Sequence, residues 1–289
     1  MLSLRLFGGL SLSGPEGPIT GRASQRRRQG VLAILAVARG KPVSRDKIIA
    51  LLWSDADSER ARHLLADSLY VLRESLGDDA IIASSDDLSL NAERVRSDTM
   101  DFDDALDAGQ RRRAVDMYAA GGPFMDGVHL SDAPEFERWV DGTRAQFAAR
   151  YRRTLEELAR EAAAAGDHAK AIDWWRMLAA QDPLSSRVAL GLMRAFADAG
   201  DPAGALQFAQ VHEALIRAEL EAPPDPSIGA FVAQLRAAPK LAPAPRSGPS
   251  SAQGQPSPGY TPSIERPPLP AHPIHQPTNP PPHQPTNPP

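Results

Sequence analysis

Proline is distributed so unevenly along the 289 residues that it limits which part of the chain can form a compact core. Of the 28 prolines, 18 lie between Pro239 and Pro289, where the chain ends in two copies of His-Gln-Pro-Thr-Asn-Pro-Pro. Such a composition cannot bury enough apolar area to offset the entropy of ordering. We therefore expect residues 237–289 to form an extended, disordered tail, either an inert spacer or a ligand for proline-binding domains. The remaining chain has room for two modest cores.

Composition also excludes several classes of protein. The chain has no cysteine, which excludes disulfides, thiolate zinc sites, iron–sulfur clusters and a cysteine nucleophile, and which fits a reducing, cytoplasmic setting. The longest apolar stretch, around Val31 to Ala38, is far shorter than the roughly 20 residues that cross a bilayer. The pair His212-Glu213 lacks the second histidine of a zinc protease motif. We expect no membrane contact, no metal, no cofactor and no catalytic residues.

The charged residues divide the chain into a basic and an acidic part. Residues 1–76 contain 12 Lys and Arg against 7 Asp and Glu, whereas residues 100–238 contain 15 against 22. A sign difference of this kind is typical of a nucleic-acid-binding module joined to a protein-binding module. Ordinary surface variation is the alternative explanation.

Apolar periodicity predicts a defined order of elements in the first 97 residues. It predicts two short half-buried strands within residues 2–12, a helix from about 25 to 39, a short helix capped by Ser44 and ending at Trp53, a long helix at 58–76 and a β-hairpin at 81–90. Strands, three helices with the longest third, and a hairpin form the element order of a winged helix-turn-helix. This fold binds DNA by placing its third helix in the major groove.

The third predicted helix has one apolar and one polar side. Ala61, Leu65, Leu69, Leu72 and Leu76 recur at helical spacing and predict the buried side. The opposite side then presents Arg60, His63, Asp67, Tyr70 and Glu74, with Arg62 and Arg73 on its flanks. A solvated helix face without a ligand would show the same pattern, and Asp67 and Glu74 favour that alternative because both repel phosphate.

Several motifs resemble one family of regulators. The stretches 43–47 (Val-Ser-Arg-Asp-Lys), 51–53 (Leu-Leu-Trp) and 61–77 are similar to the DNA-binding half of the Streptomyces antibiotic regulatory proteins. In that family a helical bacterial transcriptional activation domain follows. The resemblance thus implies a DNA-binding domain at 1–97, an activation domain at 98–236, and recruitment of RNA polymerase beside repeated promoter elements, often by a dimer or a side-by-side pair.

The second half contains an internal repeat. Gly166-Asp167 followed by Ala171 recurs as Gly200-Asp201 followed by Ala205, an offset of 34 residues, which is the period of tetratricopeptide helix pairs. Gly109 and Ala114 keep the same five-residue spacing and indicate a more degenerate unit upstream, and a long helix is predicted to start near Pro134. The predicted fold class is mainly α: a winged helix-turn-helix, an all-α tetratricopeptide-like domain and a disordered tail.

The predicted partner is double-stranded DNA. We expect Arg60 to reach guanine, Asp67 to accept from the cytosine amino group, and His63 and Tyr70 to contact base edges or phosphate. The full predicted set is Arg60, Arg62, His63, Asp67, Tyr70 and Arg73 on the third helix, Ser44, Arg45 and Lys47 at the second, and Arg26, Arg27 and Arg28 at the first. The expected wing between Gly77 and Asn91 has four Asp and no Lys or Arg, so we expect it to add little affinity and paired binding to compensate. The rival function is a protein scaffold whose winged domain does not bind DNA.

Overall fold

The structure is a computed structural model that describes residues 1–221 and 223–237. Of the tail predicted at 237–289, Ala237 ends a helix, and residues 238–289 lie outside the described residues. The fold is mainly helical, as predicted. The helices are α1 (Arg26–Val37), α2 (Arg45–Leu52), α3 (Ser58–Leu76), α4 (Asp98–Asp107), α5 (Arg111–Gly121), α6 (Pro134–Ala164), α7 (His168–Gln181), α8 (Ser186–Asp198), α9 (Pro202–Leu220) and α10 (Pro226–Ala237). The strands are β1 (Leu2–Arg5), β2 (Ser11–Gly14), β3 (Gly17–Pro18), β4 (Val43–Ser44), β5 (Ile81–Ala83), β6 (Asp87–Leu90) and β7 (Val95–Ser97). A 3₁₀-helix, Gly21–Ser24, precedes α1.

Two small sheets frame the first three helices. One has the strand order β3-β2-β1-β7, with β7 parallel to β1, and the other, which contains the wing, has the order β4-β6-β5. The predicted strands β1 and β2 and the hairpin β5-β6 are confirmed. Strands β3, β4 and β7 have only two or three residues, too few for an alternating pattern to reveal them.

Caps fix the ends of α2 and α3. The Ser44 hydroxyl accepts from the backbone N–H of Lys47 at 3.3 Å, and the Asp57 carboxylate accepts from that of Arg60 at 2.9 Å. Gly77, with φ of 97°, ends α3 in a conformation that other residues rarely adopt. The observed bounds of α3 are the ones that the sequence predicted.

The winged half (residues 1–97) and the helical half (residues 98–236) share one core, although the length of the chain leaves room for two. The Phe7 ring lies 5.5 Å from that of Phe102, 5.1 Å from Tyr118 and 5.3 Å from Phe147, centroid to centroid. Next to it the chain segments meet closely, because a Cβ on Gly8 would lie 2.5 Å from the Gly121 carbonyl oxygen. The buried apolar residues of both halves form one continuous cluster.

The helical half consists of three successive helix pairs, α4 with α5, α6 with α7 and α8 with α9, and α10 packs on the last pair. Each pair turns at a glycine with positive φ, namely Gly109, Gly166 and Gly200. The predicted repeat is therefore confirmed as a structural one. Among the described residues no helix is long and apolar enough to cross a membrane.

Candidate nucleic-acid interface

One side of α3 is buried against the rest of the winged half. It packs on α1, α2 and the 3₁₀-helix, and the five predicted inward residues are all buried, from Ala61 to Leu76. Ser68 and Val71 are buried as well. The Ser68 hydroxyl donates to the Leu64 carbonyl oxygen at 2.8 Å, which satisfies its hydrogen bond within the helix and explains how a polar residue lies in the buried stripe.

The opposite side of α3 is open to solvent along its length. Exposed residues on this side are Arg60, Arg62, His63, Asp67, Tyr70 and Glu74, and the Tyr70 side chain is 66% exposed although it is large and partly apolar. Neither Arg60 nor Arg62 forms an ion pair with any residue that the structure describes. An exposed helix with unpaired arginines near its N-terminus has the shape and charge that the major groove accepts.

Arg45 and Arg73 hold the wing against α2 and α3. The Arg73 guanidinium donates from Nη2 to the Ile81 carbonyl oxygen at 3.2 Å, and that of Arg45 donates to the Ser84 carbonyl oxygen at 3.4 Å. Both side chains are half-buried, and the Nε of each has no hydrogen-bond partner in the described part of the chain. They line a cavity of about 520 Å³ together with Tyr70. Their structural role was not evident from the sequence, because both bonds are to backbone carbonyls.

Arg28 differs from its predicted place. It is only 8% exposed, whereas a contact to the DNA backbone requires a guanidinium at the surface. Its Nη1 donates to the Arg22 carbonyl oxygen at 2.8 Å, and its Nη2 donates to the Asp67 carboxylate at 2.7 Å. The Asp67 side chain is 55% exposed. Because the Arg28 guanidinium balances part of its negative charge, Asp67 repels phosphate less.

We expect Arg28→Met to lower the free energy of unfolding by about 1.5–3 kcal/mol, because it removes hydrogen bonds that involve a charged group. Asp67→Asn keeps an acceptor for Arg28 and should cost less than about 1 kcal/mol. Urea denaturation with equal m-values measures both changes. Equal midpoints for Arg28→Met and the parent chain would contradict a stabilising role for the hydrogen bonds of Arg28.

Arg26 and Arg27 point towards the helical half. Arg26 Nη1 donates to the His129 carbonyl oxygen at 2.6 Å, and Arg27 Nη2 pairs with the Asp132 carboxylate at 2.6 Å. The three consecutive arginines thus have three different environments rather than one common basic surface. Ser44 and Lys47 at the start of α2 are exposed, and Lys47 forms no ion pair within the described residues.

The wing is acidic, as its sequence predicted. Asp78, Asp79 and Asp86 are exposed on it, and Ile82 is 56% exposed. Arg94, just beyond the hairpin, pairs with Asp79 at 3.1 Å and remains half-exposed. Arg94 is a cation close to the wing that the sequence analysis did not identify, because it lies outside the hairpin and only the fold brings it to Asp79, just before β5.

Carboxylates of α4 attach the helical half to the winged half through the segments that follow β1 and α1. Asp98 accepts from the backbone N–H groups of Leu6 and Phe7, each at 2.9 Å. Burial raises the pKa of Asp98, and these hydrogen bonds lower it in part. Arg39 contacts Asp104 at 2.5 Å and Asp107 at 2.7 Å. The hydrogen bond from Arg96 holds the pKa of Asp104 below its usual value.

No group of three His, Asp or Glu within residues 1–221 and 223–237 is placed to hold a metal ion.

Comparisons with known proteins identify the family of the helical half and a solved structure of similar fold. The family model "Bacterial transcriptional activator domain" matches residues 90–236. A solved structure of Mycobacterium tuberculosis EmbR, in complex with a low affinity phosphopeptide, is similar in fold, with a TM-score of 0.57 and 20% sequence identity. The similarity covers 81% of this chain and 65% of that one, so the chain spans less than two thirds of EmbR. None of the curated proteins matches the sequence.

Proposed function

The chain belongs to the bacterial transcriptional activator domain family, as its resemblance to the Streptomyces antibiotic regulatory proteins implied, and we propose that it activates transcription by binding duplex DNA through α3. The observation that supports this most directly is the open side of α3, where Arg60 and Arg62 are exposed and without an ion pair among the described residues. The buried side of α3 packs on the rest of the winged half, so only its exposed side is available to a ligand. The major groove, about 12 Å wide, admits such a helix.

We assign the contacts by chemistry and position. Arg60 and Arg62 approach base edges from the first two turns of α3, while His63 and Tyr70 contact base edges or phosphate along it. A phosphate of the DNA backbone binds at the exposed start of α2, because the positive end of the helix dipole and the Lys47 cation both attract it there. Arg45 and Arg73 act mainly by holding the wing. Asp67 accepts from a cytosine amino group, with Arg28 behind it.

The helical half is proposed to face proteins. Residues 100–238 are acidic, which disfavours DNA and suits contacts with RNA polymerase or another protein in the cytoplasm. Because the wing has no cation, a single copy should bind DNA weakly. Binding as a dimer or as a side-by-side pair to repeated half-sites raises the effective concentration and offsets that weakness.

A second function is a protein scaffold without DNA binding. It is favoured by the acidic wing and by the exposed carboxylates of Asp67 and Glu74 on the face of α3. Both features repel phosphate. The two functions differ in their response to salt, because only DNA binding releases counterions from the duplex.

The deciding experiment is a salt titration of the full chain on duplex DNA. We expect the logarithm of the binding constant to fall linearly with the logarithm of salt concentration, with a slope of about −3 or steeper, since each phosphate contact contributes about −0.9. Fluorescence anisotropy with duplexes enriched from a random pool gives this slope. A flat response would leave the scaffold function.

A further inference from the structure

The helical half contains a groove whose charge differs from that of its surroundings. Helices α6 and α8 both pack on α7, and a cavity of about 290 Å³ lies between them. Arg160 of α6 and Arg187 and Arg194 of α8 line it, together with the carboxylates of Glu156 and Asp198. We name this cavity the arginine groove. It has three cations against two anions in a half of the chain where anions predominate.

The positive charge of the groove is only partly neutralised. Glu156, nearly buried, accepts from both Arg160 and Arg187 through its Oε1 atom. One carboxylate cannot satisfy two guanidinium groups that have five N–H donors each. The side chains of Arg160 and Arg187 are 67% and 63% exposed, so their remaining donors face the solvent and are accessible to a ligand.

The floor of the groove is apolar and firmly packed. Trp175 of α7 lies beneath Gly191 of α8, where a Cβ would approach the indole ring to 2.6 Å. Leu190 and Ala163 extend the apolar lining. Arg194 lies 6.0 Å from the centroid of the Phe231 ring of α10, which limits its mobility through a cation–π contact. A site with its aromatic floor and its cations already positioned loses little entropy on binding.

We propose that the arginine groove binds an acidic peptide segment of a partner protein. Guanidinium groups recognise carboxylates by paired hydrogen bonds, and the partly exposed Leu190 and Ala163 accommodate an apolar side chain between the acidic ones. Arg187 and Arg194 are two helical turns apart, about 10.5 Å along α8. That distance equals about three residues of extended chain, so a short segment spans both.

Charge distinguishes this occupant from the chain's own tail. Residues 238–289 contain Lys240, Arg246 and Arg266 against Glu265 alone, so the tail is cationic and the groove repels it. The proposal deepens the protein-binding part of the proposed function, on which it rests, and it is independent of whether α3 binds DNA. Nucleic acid and a second copy of this chain are the competing occupants.

The test uses the full chain and two fluorescein-labelled peptides. One has the sequence Glu-Glu-Leu-Glu-Asp-Leu-Glu-Glu, and in the other every acidic residue is lysine. Fluorescence anisotropy should show binding of the acidic peptide only, with affinity that falls as salt rises. Arg187→Gln is expected to weaken it about tenfold, the loss of one charge-assisted contact. The matched control is Arg217→Gln on α9, because Arg217 is also 63% exposed and pairs with Glu213. It should bind like the parent chain.

A second variant, Arg194→Gln, shows whether a loss of peptide binding in Arg187→Gln comes from the lost contact or from misfolding. Arg194 forms no ion pair in the described part of the chain, so its loss leaves no buried carboxylate unpaired, and it should also weaken the acidic peptide about tenfold. Parental affinity in both variants would overturn the proposal, as would equal binding of the lysine peptide. Displacement of the acidic peptide by duplex DNA, or a binding signal that tracks self-association in ultracentrifugation, would assign the groove to one of the competing occupants. Both variants should keep parental affinity for duplex DNA, so a failure of DNA binding is seen separately.

Discussion

Replacing Arg60 by alanine is expected to weaken binding to the selected duplex by about 5- to 150-fold, which corresponds to 1–3 kcal/mol for the loss of a contact to a base edge. The reason is geometric. Arg60 is exposed in the first turn of α3, and its backbone N–H donates to the capping carboxylate of Asp57. Its guanidinium has no ion-pair partner among the described residues. Anisotropy titrations on the selected duplex and on duplexes with single base changes measure the effect.

Two controls separate base recognition from general charge. Lys47→Ala removes one cation at the start of α2 and should weaken all duplexes about equally, with a salt slope lower by about 1. Arg217→Ala removes one cation on α9 and should change nothing. A loss in Arg60→Ala that is the same for every sequence would show that Arg60 contacts only phosphate, and no loss at all would contradict the placement of α3 in the groove.

Replacing Phe7 by alanine is expected to lower the free energy of unfolding by about 3–5 kcal/mol. Phe7 is fully buried and contacts Phe102, Tyr118 and Phe147 edge to face, so truncation leaves a cavity among rings of both halves. Because the halves share one core, they should unfold together. Calorimetry should then show one transition at lower temperature, with equal calorimetric and van't Hoff enthalpies.

The control for Phe7→Ala is Ile82→Ala, since Ile82 is 56% exposed on the wing and its truncation should change stability by about 0.5 kcal/mol or less. Two resolved transitions, with only one displaced by Phe7→Ala, would mean that the winged half and the helical half are separate cooperative units. The contacts of Asp98 with Leu6 and Phe7 would then contribute little to joining them.

The sequence allowed α3 to be predicted in full, because its leucine stripe and the glycine at position 77 are local features. It also allowed the exposed set around Arg60 and Tyr70 to be derived from helical spacing alone. Arg28 could not be placed in this way. Its neighbours Arg26 and Arg27 have the same charge, and the contact that distinguishes Arg28 from them includes Asp67, 39 residues away, which no local pattern indicates.

The sequence by itself determined the order of the longer elements of the winged half, the ends of α3 and the side that α3 buries, because periodicity, caps and glycine turns act over a few residues. The tertiary structure alone decided that the two halves share one core around Phe7, that Arg45 and Arg73 hold the wing, and that three arginines meet in the groove between α6 and α8. These features depend on contacts between residues far apart in the chain. Their energies become favourable only after the chain has closed the intervening loops, and no local pattern records them.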